Sequence, residues 1–164
     1  MKAKEESPAR QLDAFLAKFD PKTRSLIKAA RAVLRRRWPA AHELVWDNYN
    51  FFVIGYSTTE RPSHSIVAIA AAANGVGISF YRGASLPDPK HVLLGSGAQN
   101  RFIRLESVAT LARPEVRALL DAAAQQERPP FAKGQRGRLI IRSISAKQRP
   151  RRKAAAQKER ASRG

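Results

Sequence analysis

The pair Asn74-Gly75, set between the apolar runs 65–73 and 76–81, constrains this chain more than any other feature. Asn-Gly between two such runs predicts a β-hairpin, because the favoured two-residue turn needs positive φ at both positions. In the second run Val76, Ile78 and Phe80 alternate with Gly77, Ser79 and Tyr81. One strand face is therefore apolar and the other partly open. Strands are also predicted at 44–47 and 51–56, around an Asn48-Tyr49-Asn50 turn, and at 102–105 beside Arg101 and Arg104. The whole block 44–105 reads as an antiparallel sheet.

Helix signals flank the block. Ser7-Pro8 opens a helix carrying Leu12, Phe15, Leu16 and Phe19 at helical spacing, and Asp20-Pro21 repeats the start signal. The first helix should thus end near Phe19. The second spans 21–37, with Leu26, Ile27, Ala30, Val33 and Leu34 as its stripe. Its last turn holds Arg35, Arg36 and Arg37, where the helix dipole favours cations. A third runs over 114–126 on Val116, Leu119, Leu120 and Ala123, and Pro129-Pro130 breaks the pattern after it. Residues 139–144 leave two readings open, an edge strand or none. From Ala146 onward there is almost nothing to bury, so disorder is expected. The expected fold is α+β: an antiparallel sheet of about five strands, two N-terminal helices and one C-terminal helix packed on it, and a disordered basic tail. The expected division is a domain at 8–127, a Pro/Gly linker at 128–145 and the tail at 146–164.

The chain has 164 residues and no cysteine, which suits one domain and excludes disulfide and thiolate chemistry. The first eleven residues lack the apolar core of a signal peptide. The longest apolar run, 66–73, has 8 residues, and a membrane span needs about 20. A cytoplasmic, membrane-free protein is expected. Net charge is +18 and unevenly spread. Residues 133–164 hold 12 basic side chains against Glu159 alone, whereas 1–132 hold 19 against 12. A basic excess of this kind favours polyanions. Lys147, Arg149, Arg151, Arg152, Lys153, Lys158, Arg160 and Arg163 are the candidate nucleic-acid contacts. A merely solubilising extension is the alternative.

No catalytic pattern emerges. His42, His64 and His91 share no metal spacing, and no dedicated metal or cofactor site is expected. Ser96 in Gly95-Ser96-Gly97 lacks the strand and helix of a nucleophile elbow. The loop 95–100 reads either as an anion cradle of backbone N–H groups, followed by Arg101, or as a plain connection. The carboxylates Glu43, Asp47, Asp88 and Glu106 make no acid/base pair, and pairing with arginines is their expected role. The aromatics Trp46, Tyr49, Phe51, Phe52, Tyr56, Phe80, Tyr81 and Phe102 divide between core and open face. Trp46 and Tyr81 suit a pocket wall, since each carries a polar handle. Trp46, Tyr49, Tyr81, Gly95, Gly97, Arg101 and Arg104 are the candidate site for a small anionic ligand.

The wording across residues 45–104 resembles the YdhG-like family of small bacterial proteins, a family of unknown function. The resemblance lies in Gly77-Ile78-Ser79-Phe80-Tyr81 with Gly83-Ala84, in Leu93-Leu94-Gly95-x-Gly97, and in Arg101-x-Ile103-Arg104-Leu105. The order of helices matches over about residues 10–126. The resemblance implies helices on an antiparallel sheet, and some members are labelled intracellular iron chaperones, similar in role to frataxin. Asp47-Asn48-Tyr49 stands where that family has Gly-Met-Pro, and Ala73-Asn74-Gly75 where it has Lys-Lys-His. Iron chaperoning needs a surface of carboxylate oxygens, which a body carrying a net +7 does not offer. A binding domain with a basic tail is the main expectation. An iron chaperone and an enzyme of unrecognised type are the alternatives.

Overall fold

A computed structural model describes residues 6–153. The Ser7 hydroxyl accepts the Arg10 N–H at 3.3 Å and opens α1 (Pro8–Leu16). The helix stops short of Phe19. Arg24 reaches back to donate to the Leu16 carbonyl at 3.2 Å and the Phe19 carbonyl at 3.0 Å, which satisfies acceptors that a helix end leaves unpaired. Asp20 accepts the Thr23 N–H at 2.8 Å and opens α2 (Pro21–Arg37). That N–H holds the Asp20 carboxyl below its ordinary value. After the sheet, α3 (Pro114–Gln126) buries Val116, Leu119, Leu120 and Ala123. None of the described helices is long and apolar enough to cross a membrane.

The strands are β1 (His42–Asp47), β2 (Phe52–Ser57), β3 (Ser65–Ala72), β4 (Gly75–Phe80), β5 (Arg101–Leu105) and β6 (Leu139–Ile144). Their order is β5-β4-β3-β2-β1-β6. Period-two alternation gives the sheet two unlike faces. On the helix side Val45, Ile54, Ile69, Ile78 and Ile103 form one buried row across β1 to β5. At about 1.5–3 kcal/mol per buried side chain this row outweighs any single polar contact. One step along, Phe52 meets Phe15 and Phe19 with ring centroids 6.2 and 6.0 Å apart, which seats α1 on this face.

Three expectations need correction. The hairpin forms, but Ala72 pairs with Gly75, so Ala73-Asn74 is the turn. Gly75, with φ +144°, opens β4 in a conformation costly for any other residue, while Ala73 and Asn74 keep negative φ. The sheet has six strands and is mixed, because β6 joins parallel to β1. The chain returns to the end where β1 starts: the Gly137 N–H donates to the Pro39 carbonyl at 2.9 Å and the Arg138 N–H to His42 Nδ1 at 3.1 Å. A strand that starts at that end runs the same way as β1.

The third correction concerns the supposed tail. Residues 146–153 are docked, not disordered. The Ser145 N–H donates to the Asp47 carbonyl and the Arg149 N–H to the Tyr49 carbonyl, both at 2.9 Å. Arg151, expected to contact phosphate, is instead buried and bonded to Asp47 at 2.9 Å. Lys158, Arg160 and Arg163 lie outside the described residues.

Candidate functional site

The face of the sheet away from the helices carries a second cross-strand row, Trp46–Val53–Ala70–Gly77–Arg104. Its centre is small and its ends are large. The neighbouring row, Leu44–Gly55–Ala68–Ser79–Phe102, repeats that profile. The result is a trough of about 570 Å³, lined entirely by β2 to β5 and their turns. Phe51 and Val53 form one wall, Phe102 and Arg104 the other, and Ala70 and Gly77 the floor. Three strand spacings of ~4.8 Å separate the walls, roughly 14 Å. Glycine suits the floor, because a Cβ at Gly77 would lie 3.0 Å from the Ile103 carbonyl oxygen, a tight contact to which β5 would have to yield.

The walls are held from behind. Leu94 pairs with Phe102 through bonds of 2.8 and 3.0 Å, and the Ser79 hydroxyl donates to Asn100 Oδ1 at 2.6 Å. Gly95, at φ +106°, lets the loop close over the Phe102 ring; a Cβ there would be 3.3 Å from it. The Arg104 guanidinium sits 5.8 Å from the Phe102 centroid, and among the described residues it makes no ion pair.

The fold divides the expected site residues. Trp46 and Arg104 end the same row, and Trp46 and Tyr81 both approach Gly55. Burial pushes the Tyr81 phenol above its ordinary value. Tyr49 is half exposed in the β1–β2 turn, with Arg149 over its ring at 5.7 Å. Arg101 shares the helix-side parity of Ile103, and its guanidinium donates to the Gly97 carbonyl and, at 2.8 Å, to the Asn100 carbonyl. It therefore braces the loop 95–100 from within. Phe51, Val53, Ala70, Gly77 and Phe102 were not among the expected site residues. Ala68, Ala70 and Ala72 facing Gly75, Gly77 and Ser79 at period two were the signal for a hollow.

The helix side holds two buried carboxylates, both on β1. Glu43 accepts from Arg31 at 2.9 and 3.0 Å and from the Tyr56 hydroxyl at 2.9 Å. Asp47 accepts from Lys18 at 2.7 Å and from Arg151 at 2.9 Å. A third, Glu127, pairs with Arg82. The inner carboxylates are thus committed to cations. Among the described residues no three His, Cys, Asp or Glu side chains converge as a metal site. His42 is buried as the acceptor for the Arg138 N–H, and His64 meets the Thr59 hydroxyl at 2.7 Å.

Burial, with the Glu43 carboxylate adding to it, pushes the Tyr56 phenol well above its ordinary value. The folded state keeps the proton that the unfolded chain loses above a pH of about 10. Stability is therefore full below that pH and falls as pH rises through it, by ~1.4 kcal/mol per unit. Tyr56→Phe should cost about 1.5–3 kcal/mol near neutrality, the worth of a bond to a charged acceptor. It should also flatten the alkaline loss. Denaturant unfolding at pH of about 8 and about 11 checks both; equal alkaline slopes in parent and variant would refute the second.

These features define an α+β domain with helices on one sheet face and an aromatic, basic-rimmed trough on the other. No family model, curated protein or solved structure matches the chain.

Proposed function

We propose that this protein is a non-enzymatic, YdhG-like binding domain that holds a small, flat, anionic ligand on the open face of its sheet. The observation that carries this reading is the trough between Phe51 and Phe102 with Arg104 at its rim. A planar ring fits a floor of Ala70 and Gly77, and the Arg104 guanidinium supplies a forked donor for a carboxylate or sulfonate. Titration of the intact protein with 2-naphthalenesulfonate, followed by amide chemical shifts, tests it. The shifts should concentrate at Val53, Ala70 and Gly77. Arg104→Gln should weaken binding about tenfold, the worth of one charge-assisted bond, and Ala70→Leu should block it by filling the floor. Shifts scattered over the surface, or an Ala70→Leu variant that binds as well as the parent, would overturn the reading.

The docked C-terminal segment supports a second role, non-specific contact with nucleic acid. Lys147, Arg149, Arg152 and Lys153 are all exposed on it, while Arg151 is turned inward. Each phosphate contact should add about 0.7–0.9 to the slope of log affinity against log salt. Replacing those four side chains by Gln is the matching arm of the titration, run with a single-stranded oligonucleotide, and an unchanged slope would end this role. The iron-chaperone alternative gains no support from a domain whose buried carboxylates already face arginine or lysine.

A further inference from the structure

On the opposite side from the trough, a cavity of about 530 Å³ opens between the end of α2 and the start of β6. Three guanidiniums line it, those of Arg31, Arg35 and Arg36, with Trp38 and Leu139 forming an apolar wall. We infer that this cavity is a second binding site, independent of the open face, and that it takes a small phosphomonoester whose phosphoryl group lies on Arg35 and Arg36 and whose apolar part rests on Trp38 and Leu139.

Charge carries the argument. Like charges one turn apart on a helix repel, and Arg31 and Arg35 are so placed. The single carboxylate among them, Glu43, is buried and shared. It takes Arg31 through two bonds of 2.9 and 3.0 Å and lies 3.6 Å from Arg35 Nε. Arg36 has no ion-pair partner among the described residues. One carboxylate against three guanidiniums leaves two positive charges at the cavity. The helix dipole offsets only about half a charge of that. Dipole compensation accounts for Arg35, Arg36 and Arg37 in the last turn. It does not account for Arg31, more than a turn earlier, nor for the cavity.

The network beneath is a preorganising device. Tyr56 fixes Glu43 from behind at 2.9 Å and Glu43 fixes Arg31 through two bonds, while Arg35, with Nε 3.6 Å from Glu43 and its side chain 60% exposed, keeps its nitrogens open to a ligand. Gly137 closes the floor: a Cβ there would lie only 1.9 Å from the Ala41 carbonyl oxygen. The planar guanidinium fork suits the bidentate oxygens of a phosphoryl group.

The two tryptophans allow a direct test, since Trp38 lines this cavity and Trp46 lies on the open face. In full-length Trp46→Phe protein, Trp38 emission is followed while inorganic phosphate, pyrophosphate or phenyl phosphate is added against chloride of equal ionic strength. A saturable change is expected for all three, tightest for phenyl phosphate. Arg35→Gln/Arg36→Gln should lose about tenfold to a hundredfold in affinity, and Arg35→Lys should restore only part of it. Arg117→Gln, which removes one charge on α3 away from the cavity, should change nothing. Both pocket arginines reach solvent, so an unaltered unfolding midpoint separates lost binding from lost fold. A Trp38 response no larger than that to chloride, or a double variant that binds as the parent does, would overturn the proposal. So would a response to single-stranded oligonucleotide at lower concentration than to phenyl phosphate. Failure of the open face would leave the Trp38 signal intact.

Discussion

Asp47→Ala should destabilise the domain by about 3–5 kcal/mol, the cost of removing one partner from a buried ion pair. Asp47 is 1% exposed and Arg151 2%, so the guanidinium stays buried when Asp47 goes. Two of the Arg151 nitrogens, Nε and Nη1, already have no hydrogen-bond partner among the described residues. Without Asp47 the guanidinium keeps only the Asn48 carbonyl. The converse change should cost less. In Arg151→Ala, Asp47 still meets Lys18, whose side chain is 42% exposed and brings water with it. The loss is then about 1–3 kcal/mol, that of a weakened charged hydrogen bond. Denaturant unfolding of both variants and of the double variant measures the coupling. Equal losses, or a coupling near zero, would refute the assignment of Arg151 as a structural anchor. Truncation after Ser145 removes this anchor together with the exposed basic residues, so a truncated chain cannot separate phosphate contact from folding.

The second large effect is expected at Gly137. Its N–H is bonded to Pro39, and a Cβ would lie 1.9 Å from the Ala41 carbonyl oxygen and 3.0 Å from that of Pro39. Both are backbone atoms and cannot swing aside. Gly137→Ala would ordinarily gain about 0.4–1 kcal/mol by stiffening the unfolded chain. Here the start of β6 must move away, which breaks the Gly137–Pro39, Glu43–Arg138 and Arg138–His42 bonds. At about 1 kcal/mol each, the net loss is roughly 2–3 kcal/mol. The unfolding midpoint should fall by roughly 4–12 °C for a domain of this size. Hydrogen exchange should localise the damage, with amides of Leu139–Ile144 losing protection before those of β3. Uniform loss across the sheet would show that β6 is not held at Gly137.

Much of this fold is legible from local pattern. Pro8, Pro21 and Pro114 follow their helix starts, and the alternation in β4 is faithful to its two faces. What local pattern cannot convey is partner and direction. Leu139–Ile144 reads equally well against either edge, and its parallel pairing follows from a return path fixed by Gly137 and His42. The docking of 146–153 was invisible for a related reason. It rests on one buried charge pair spanning more than a hundred residues and on backbone bonds to Asp47 and Tyr49, in a segment with no apolar period. The candidate site was half legible. Of the residues read as a candidate site, Arg104 lines the trough, and Trp46 ends the same cross-strand row on β1, outside the lining. The floor between them was missed because alanine and glycine draw attention only when their shared parity across β3 and β4 is noticed. Arg101, adjacent in sequence to the wall, faces the other way by the same period-two rule.

The parallel strand also shields its neighbour. Without β6, β1 would be the margin of the sheet, offering the unpaired backbone of Leu44-Val45-Trp46 to any extended chain. Such an apolar margin is a template for strand-on-strand aggregation. With β6 in place the outermost strand carries Arg142, with Lys147 and Arg149 just beyond it, so two molecules meeting edge to edge bring like charges together. The basic residues on and beside β6 thus disfavour strand pairing between two copies at that edge.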